Sequence, residues 1–171
     1  ISMLETLILF GILLAASAFF GAVEIATLSL SDAKVRTMVR EKLPGASLVE
    51  RLKAKPQRFL IAMLIANNVI NIFAAAVATE LALSLFGSRG IAIATGAVTF
   101  LILTFGEILP KTFGQAYAEY VSRYTAPIVL AVVYALLPAE WFFEQLIKLF
   151  SFGTSEESRR QSAKMAEEEI K

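Results

Sequence analysis

Residues 59–86 read FLIAMLIANNVINIFAAAVATELALSLF, and this stretch decides the fold class of the chain. The stretch is apolar apart from six residues, which are Asn67, Asn68, Asn71, Thr79, Glu80 and Ser84. An α-helix rises about 1.5 Å per residue, so a helix of this length crosses a bilayer with some tilt. Pro56 suits the first turn of that helix, where an amide proton is not needed. We therefore predict a transmembrane helix over about residues 58–85.

Two further runs have the same character. Residues 7–20 are apolar, and this run is too long for the hydrophobic region of a signal peptide, so we predict a span over about residues 4–30. The sequence Gly87-Ser88-Arg89-Gly90 predicts a tight turn, and a third span follows over about residues 90–106. The chain is 57% hydrophobic and 18% charged, with a mean hydropathy of +0.66. We therefore predict an all-α membrane protein with three transmembrane helices plus juxtamembrane helices.

Residues 32–58 carry the charges that the apolar runs lack. Three acidic residues stand there against eight basic ones, which are Lys34, Arg36, Arg40, Lys42, Arg51, Lys53, Lys55 and Arg58. Ser31-Asp32 can cap a helix, Pro44-Gly45 breaks it and Ser47 can start another, so we predict a helical hairpin at the membrane surface. Basic loops beside spans lie in the cytoplasm. We expect a multi-pass protein of the cell membrane with its N-terminus outside and its C-terminus in the cytoplasm.

Residues 112–150 leave two alternatives open. They are moderately polar at first and then apolar from Ala126 to Leu137, where Pro138 interrupts the run. This run is short for a crossing, so we favour belt-like amphipathic helices over a fourth span. We assign residues 1–153 to the transmembrane domain. Residues 154–171 are polar and predict the start of a cytosolic helical linker, beyond which we expect a further cytosolic domain.

The chain has no histidine and no cysteine. That composition excludes zinc sites of the usual nitrogen or sulfur kind and histidine-based acid–base catalysis within this chain. We expect no enzymatic activity and no nucleic-acid partner. Any metal ion bound here would be held by oxygen, which suits magnesium, calcium or manganese.

Placing a polar side chain in the hydrocarbon of a bilayer costs free energy, so polar residues inside the predicted spans indicate contacts with other helices or a cavity. On the first span, Ser17 and Glu24 are seven residues apart and share a helix face, with Gly21 between them. A small-residue packing face explains Ser17 and Gly21 equally well. Glu24 is explained by that alternative only if it lies at the cytoplasmic interface.

The second span carries Asn67, Asn68 and Asn71, which are three or four residues apart and form one polar patch. A single intramembrane asparagine commonly serves as a hydrogen-bonding contact between helices. Three within five residues exceed that need, so we favour a functional site.

The third polar set is Gly106–Lys111. Pro110 disfavours continued helix at Leu109, which would free carbonyl groups near Glu107. The alternative is an interfacial Glu107 paired with Lys111 one helical turn later. If the three polar sets meet in a bundle, they form a sparse cage of oxygens that suits a hard cation held weakly enough to leave.

Three segments also carry a family resemblance. Ser17–Ala26 (SAFFGAVEIA) resembles the FFSxxExAL signature of the CNNM/CorC membrane domain, also called DUF21. Ala66–Ile72 (ANNVINI) is similar to the GNNxxN stretch of that family, and Phe105–Lys111 (FGEILPK) matches its FGEIxPK motif. The resemblance implies a magnesium transporter or exporter, thought to be sodium-coupled, built as a homodimer in the lipid bilayer. It also implies cytosolic CBS domains that bind ATP and lie outside this sequence.

The resemblance further implies a ligand set for the magnesium ion. Ser17, Asn68 and Glu107 are then the strongest candidates, with backbone carbonyls near Phe20, Gly21 and Gly106. The same patch includes Asn67 and Asn71, and Glu24 and Lys111 are candidates for a coupling-ion site or for gating. Two departures stand out, since the family often has Ser at the position of Gly21 and Gly at the position of Ala66.

A second class of function requires the same oxygen cage. A membrane-embedded Mg²⁺ sensor or regulatory subunit would bind the ion without carrying it, and the sequence does not separate it from a carrier. An intramembrane hydrolase has little support, because the chain lacks histidine, cysteine and paired carboxylates near a nucleophile.

Overall fold

The computed structural model describes the backbone of residues 2–151 and the side chains there, except those of residues 88–91, 93–94, 140, 144 and 147–151. This described part is helical and contains no strand. In chain order its helices are α1 (Met3–Ser29), α2 (Asp32–Arg40), α3 (Ala46–Lys53), α4 (Pro56–Leu101), a π-helical segment (Ile102–Ile108), α5 (Leu109–Ala116), α6 (Ala118–Ala135) and α7 (Leu137–Ser151).

Three helices are long and apolar enough to cross a membrane, which confirms the predicted fold class. They are Met3–Ser29, Pro56–Gly87 and Thr95–Ala116. The third candidate span lies later in the chain than the predicted residues 90–106. Ala118–Ala135 and Leu137–Phe143 reach the length and composition of a further span only when they are taken together, so the alternatives for this region stay open.

Helix α1 is the centre of the bundle. It begins with a capping box, in which the Ser2 hydroxyl accepts from the Glu5 amide and the Glu5 carboxylate accepts from the Ser2 amide. It then packs against α4, the π-helical segment and α5. The buried face of α1 includes Ser17, Gly21 and Val23. Most of the large apolar side chains near its start are exposed, as expected for a helix surrounded by lipid.

Helix α4 reverses direction at Gly87, where φ is 62° and ψ is −170°. An L-residue with a side chain rarely adopts this conformation, so the predicted turn at residues 87–90 depends on glycine. The two arms face each other, because Ala78 and Thr79 line a small cavity together with Val98 and Thr99. Pro56 occupies the first turn of α4, as predicted.

The sequence predicted that the third span ends at Gly106, but the span continues beyond this residue. Leu109 has ordinary helical angles (φ −62°, ψ −46°), and the chain continues through the π-helical segment into α5. Within the π-helical segment the Leu109 amide donates to the Thr104 carbonyl, five residues back. Pro110 then falls in the first turn of α5, where no amide donor is required. The wider turn therefore absorbs the proline without breaking the helix.

Helices α2 and α3 form the predicted hairpin. The Ser31 hydroxyl accepts from the Lys34 amide and caps α2, while α3 begins at Ala46, one residue before the predicted Ser47. The hairpin buries a small apolar core of Val35, Met38, Val49 and Leu52.

Arg123 of α6 holds this hairpin in place. Its side chain is 7% exposed, and its guanidinium donates to the Pro44 carbonyl at 2.9 Å and lies 3.3 Å from the Glu119 carboxylate. A Cβ on Gly45, whose φ is +81°, would lie 2.2 Å from the Arg123 carbonyl oxygen, so only glycine permits this approach. A second contact joins Lys34 and Glu119 at 2.8 Å, and this ammonium lowers the pKa of the Glu119 carboxyl.

The second compact unit of the chain, Ala135–Lys171, is represented in the described part by α7. This helix exposes Trp141, Phe142 and Phe143, and the two phenylalanine rings pack edge to face with centroids 5.9 Å apart. Exposed aromatic residues of this kind are typical of membrane interfaces. The predicted cytosolic linker at residues 154–171 lies outside the described residues.

Candidate cation site

The buried hydroxyl of Ser17 joins three helical elements. Its Oγ lies 2.6 Å from Asn71 Oδ1 on α4 and 3.2 Å from the Gly106 carbonyl oxygen on the π-helical segment. Ser17 is 1% exposed and its contact with Gly106 is buried, whereas Asn71 is half-buried. A hydroxyl has one proton, so it donates to one of these acceptors at a time.

Pro110 removes one backbone donor close to this point. The Leu109 amide donates to the Thr104 carbonyl, and the next residue, Pro110, has no amide proton. The sequence predicted freed carbonyls near Glu107 where the helix ends, but the helix continues through Leu109. The freed carbonyls themselves stay a prediction. Single turns of π-helix occur frequently at functional sites.

Glycines bring the backbones close enough for this contact. A Cβ on Gly106 would lie 3.1 Å from Leu14 Cδ1 and 3.3 Å from Ser17 Oγ. Gly21 also faces the site, because a Cβ there would lie 3.6 Å from the Gly106 carbonyl oxygen and 3.6 Å from Lys111 Cγ. A Cβ at Gly106 would therefore require the Leu14 and Ser17 side chains to shift by a few tenths of an ångström.

Gly114 makes a still closer contact that the sequence analysis missed. A Cβ on Gly114 would lie 2.2 Å from the Ala22 carbonyl oxygen of α1. Gly106 and Gly114 are eight residues apart, which places them on nearly one face of a helical stretch. That spacing was the available sequence signal, and its meaning required knowing that α5 continues the third span.

Lys111 lies between two carboxylates at the edge of the site. Its Nζ is 3.1 Å from Glu107 Oε1 and 3.9 Å from Glu24 Oε2. All three side chains are partly exposed, at 32%, 36% and 22% for Lys111, Glu107 and Glu24 respectively. The ion pair between Glu107 and Lys111 was the alternative reading of this motif, and the structure contains it. A bound cation would therefore compete with the Lys111 ammonium for the place next to both carboxylates.

The structure separates the three asparagines of α4. Asn71 reaches Ser17, while Asn68 is exposed and its amide donates to the Leu64 carbonyl of its own helix at 2.9 Å. Asn67 Oδ1 is buried and has no hydrogen-bond partner among the described residues. Asn67 and Asn71 lie on the stripe of α4 that also buries Ala74 and Ala78, and Asn68 lies off it.

The side chain of Phe20 contacts its own helix neighbour. It is half-buried, and its ring packs edge to face on Phe19 with centroids 5.3 Å apart. The residues that meet are therefore Ser17, Asn71 and Gly106, with Gly21 and Lys111 beside them.

The oxygen spacing suits a small hard cation. An octahedral magnesium ion with bonds of about 2.1 Å places neighbouring ligand oxygens about 3.0 Å apart. The two separations from Ser17 Oγ, 2.6 and 3.2 Å, bracket that distance. Within the described part of the chain, no group of three or more Asp, Glu, His or Cys residues could hold a metal ion. A cation here would therefore rely on neutral oxygens, with a carboxylate available only if Lys111 releases it.

Comparison with known sequences identifies the family. The sequence profile of the Cyclin M transmembrane N-terminal domain (CNNM) matches residues 8–171, which include every residue of the site. The chain belongs to the CNNM family. The predicted resemblance is thereby confirmed, and with its three candidate spans this CNNM domain is a multi-pass membrane protein.

Relatives of this CNNM domain occur in bacteria and plants. A UPF0053 protein of Haemophilus influenzae is 38% identical over 137 residues, which cover 80% of this chain and 33% of the relative. The UPF0053 inner membrane protein YfjD of Escherichia coli is 34% identical over 133 residues, covering 78% of this chain and 31% of YfjD. A DUF21 domain-containing chloroplast protein of Arabidopsis thaliana is 37% identical over 116 residues, which cover 68% of this chain and 18% of the relative. The chain thus spans about a third of the length of the bacterial relatives.

Proposed function

We propose that this CNNM domain carries Mg²⁺ across the membrane and that the ion passes through the site at Ser17, Asn71 and Gly106. The observation that carries the proposal is the convergence of a hydroxyl, an amide oxygen and a backbone carbonyl from three helical elements at the buried Ser17. Hard cations prefer such oxygens, and membership of the CNNM family favours magnesium among them.

Binding would exchange hydrogen bonds for metal–oxygen contacts. In the structure the Ser17 hydroxyl has two acceptor oxygens within hydrogen-bond distance, and a cation placed there would attract all three oxygens at once. The hydroxyl would then turn its lone pair towards the ion and its proton away. Neutral ligands hold a divalent cation weakly, which suits a transport site because the ion must also leave.

Lys111 would act as the gate of this site. Its ammonium neutralises Glu107 and Glu24 while no ion is present, and the arrival of a divalent cation would repel it. Glu107 would then be released toward the incoming ion, and Glu24 would be available to a coupling ion such as Na⁺. We propose Na⁺-coupled export as the form of transport, in which the protein moves both ions across the membrane.

Several further features belong to the same proposal. The chain would act as a homodimer in the cell membrane, with its N-terminus outside and the basic hairpin α2–α3 and its C-terminus in the cytoplasm. ATP would act only through CBS domains beyond this sequence. The excess of basic over acidic residues at positions 32–58 supports the orientation.

The second candidate function is a membrane-embedded Mg²⁺ sensor, which would use the same oxygens without moving the ion. Flux into proteoliposomes separates the two. For a carrier, Mg²⁺ entering vesicles that contain the protein exceeds entry into empty vesicles, and Ser17→Ala removes the excess. Mg²⁺ binding without flux above that of empty vesicles, also in the full-length protein, would reject the carrier in favour of the sensor.

A further inference from the structure

A cavity of about 290 Å³ lies where α3 ends and α4 begins, against the second half of α6. It is independent of the cation site, and all of its lining residues belong to the compact unit Ile1–Tyr134. They are Arg51, Leu52, Ala54, Lys55, Arg58, Phe59, Leu130, Val133 and Tyr134.

The lining divides into a basic side and an apolar side. Arg51 and Lys55 are exposed, and Arg58 adds a third base, whereas no acidic residue occurs among the described residues that line the cavity. The apolar side is part of the protein core, since Phe59 is 2% and Val133 is 5% exposed. A ligand that satisfies both sides carries negative charge at one end and hydrocarbon at the other.

The position of the cavity indicates whether such a ligand comes from the water or from the bilayer. The candidate span Pro56–Gly87 begins between the lining residues Lys55 and Arg58, so the cavity lies where this helix enters the bilayer. Tyr134 lines the cavity with an exposed ring, and aromatic residues of this kind are common at the level of lipid headgroups. Free phosphate in water would satisfy the bases and leave the apolar side without a partner.

We propose that this cavity binds an anionic phospholipid. The headgroup phosphate accepts hydrogen bonds from Arg51 and Lys55, and the first methylenes of an acyl chain lie over Leu130 and Val133. The volume is near the lower end for small-molecule sites, so it holds the headgroup and the start of one chain while the rest of the lipid stays in the bilayer. Basic pockets beside spans are known to favour anionic headgroups.

The test titrates the full chain, purified in neutral detergent, with phosphatidylglycerol or with phosphatidylcholine. Bound lipid is counted by native mass spectrometry, and thermal unfolding is followed in parallel. We expect phosphatidylglycerol to bind and to raise the unfolding temperature, and phosphatidylcholine to do neither. Arg51→Gln with Lys55→Gln weakens the binding about thirty-fold, which corresponds to about 1 kcal/mol for each of the two bases.

Two further variants isolate the two sides of the cavity. Arg40→Gln with Lys42→Gln removes two exposed bases of the hairpin that do not line the cavity, so it keeps wild-type affinity and controls for net charge. Leu130→Trp fills the apolar side and leaves every charge in place, so it also loses the lipid. Unfolding measured without lipid shows that each variant is folded.

Three results would overturn the proposal. One is wild-type affinity in the Arg51/Lys55 variant, and another is equal loss in the Arg40/Lys42 control. A third is stabilisation by inorganic phosphate that matches the lipid, which would make this a free-phosphate site.

Discussion

The approach of α5 to α1 at Gly114 yields the sharpest prediction about the bundle. In Gly114→Ala the new Cβ would lie 2.2 Å from the Ala22 carbonyl oxygen, whereas ordinary contacts begin near 3.4 Å. The difference, 3.4 − 2.2 = 1.2 Å, is the distance by which the two backbones must separate. The backbone of α5 fixes the position of this Cβ, and the Ala22 carbonyl oxygen belongs to the backbone of α1, so no side-chain rotation relieves the clash.

The stability cost follows from two opposing effects. Replacing a helical glycine by alanine favours folding by up to about 1 kcal/mol, because the unfolded chain loses freedom. Overpacking of this kind costs about 1–3 kcal/mol, and the contact distance at Gly114 places the variant at the upper end. We expect Gly114→Ala to unfold at a lower temperature than wild type in the same detergent, and to bind Mg²⁺ more weakly because α5 moves away from α1.

The chain provides matched controls for this substitution. No atom lies within 4 Å of a Cβ built on Gly11 or on Gly96, and both residues are helical. Gly11→Ala and Gly96→Ala should therefore unfold at or above the wild-type temperature. Gly114→Ala with wild-type stability, or a Gly11→Ala variant that loses as much, would refute the proposed packing of α5 on α1.

Three more predictions test other contacts. Ser17→Ala leaves Asn71 Oδ1 and the Gly106 carbonyl without their shared donor and should lower the free energy of unfolding by about 1–3 kcal/mol. Thr27→Val removes a buried hydroxyl that has no hydrogen-bond partner among the described residues, so it should not lower the free energy of unfolding in this way. Equal losses in the two variants would contradict the Ser17 contacts. Lys111→Met removes the cation that competes for Glu107, so calorimetry should show Mg²⁺ binding up to about fivefold tighter, and weaker binding would contradict the gating role. The hydrogen bond from Lys34 lowers the pKa of Glu119 below 4.5, so this contact stabilises the hairpin above that pH and is lost as the pH falls through the lowered pKa. The protection factor of residues 31–45, which is the intrinsic exchange rate divided by the measured rate, should then fall in wild type as the pH falls through the lowered pKa but not in Glu119→Gln, and a hairpin equally protected in both proteins at neutral pH would contradict the contact.

Much of the fold could be predicted because its signals are local. The length of the apolar runs identifies the spans, Ser31 and Pro56 mark helix starts, and Gly87 marks the reversal. Each of these features acts within a few residues of its own position, so no knowledge of neighbouring helices is needed.

The candidate site was less predictable because it depends on helix phase and backbone separation. Asn67, Asn68 and Asn71 share a patch by spacing, but the neighbouring helix decides which of them points inward, and it selects Asn71. The buried stripe that continues through Ala74 and Ala78 carried this information in the sequence. Pro110 suggested a helix end, whereas the chain continues as a π-helical segment and then as α5.

In the proposed site Asn71, rather than Asn68, supplies an amide oxygen to the cation. Asn71→Ala and Asn68→Ala remove the same group from the same helix three residues apart, so each is the control for the other. The most direct measurement is Mg²⁺ binding to both variants by calorimetry in one detergent. We predict that Asn71→Ala abolishes binding while Asn68→Ala retains it. Loss of binding in Asn68→Ala with unchanged affinity in Asn71→Ala would contradict the account.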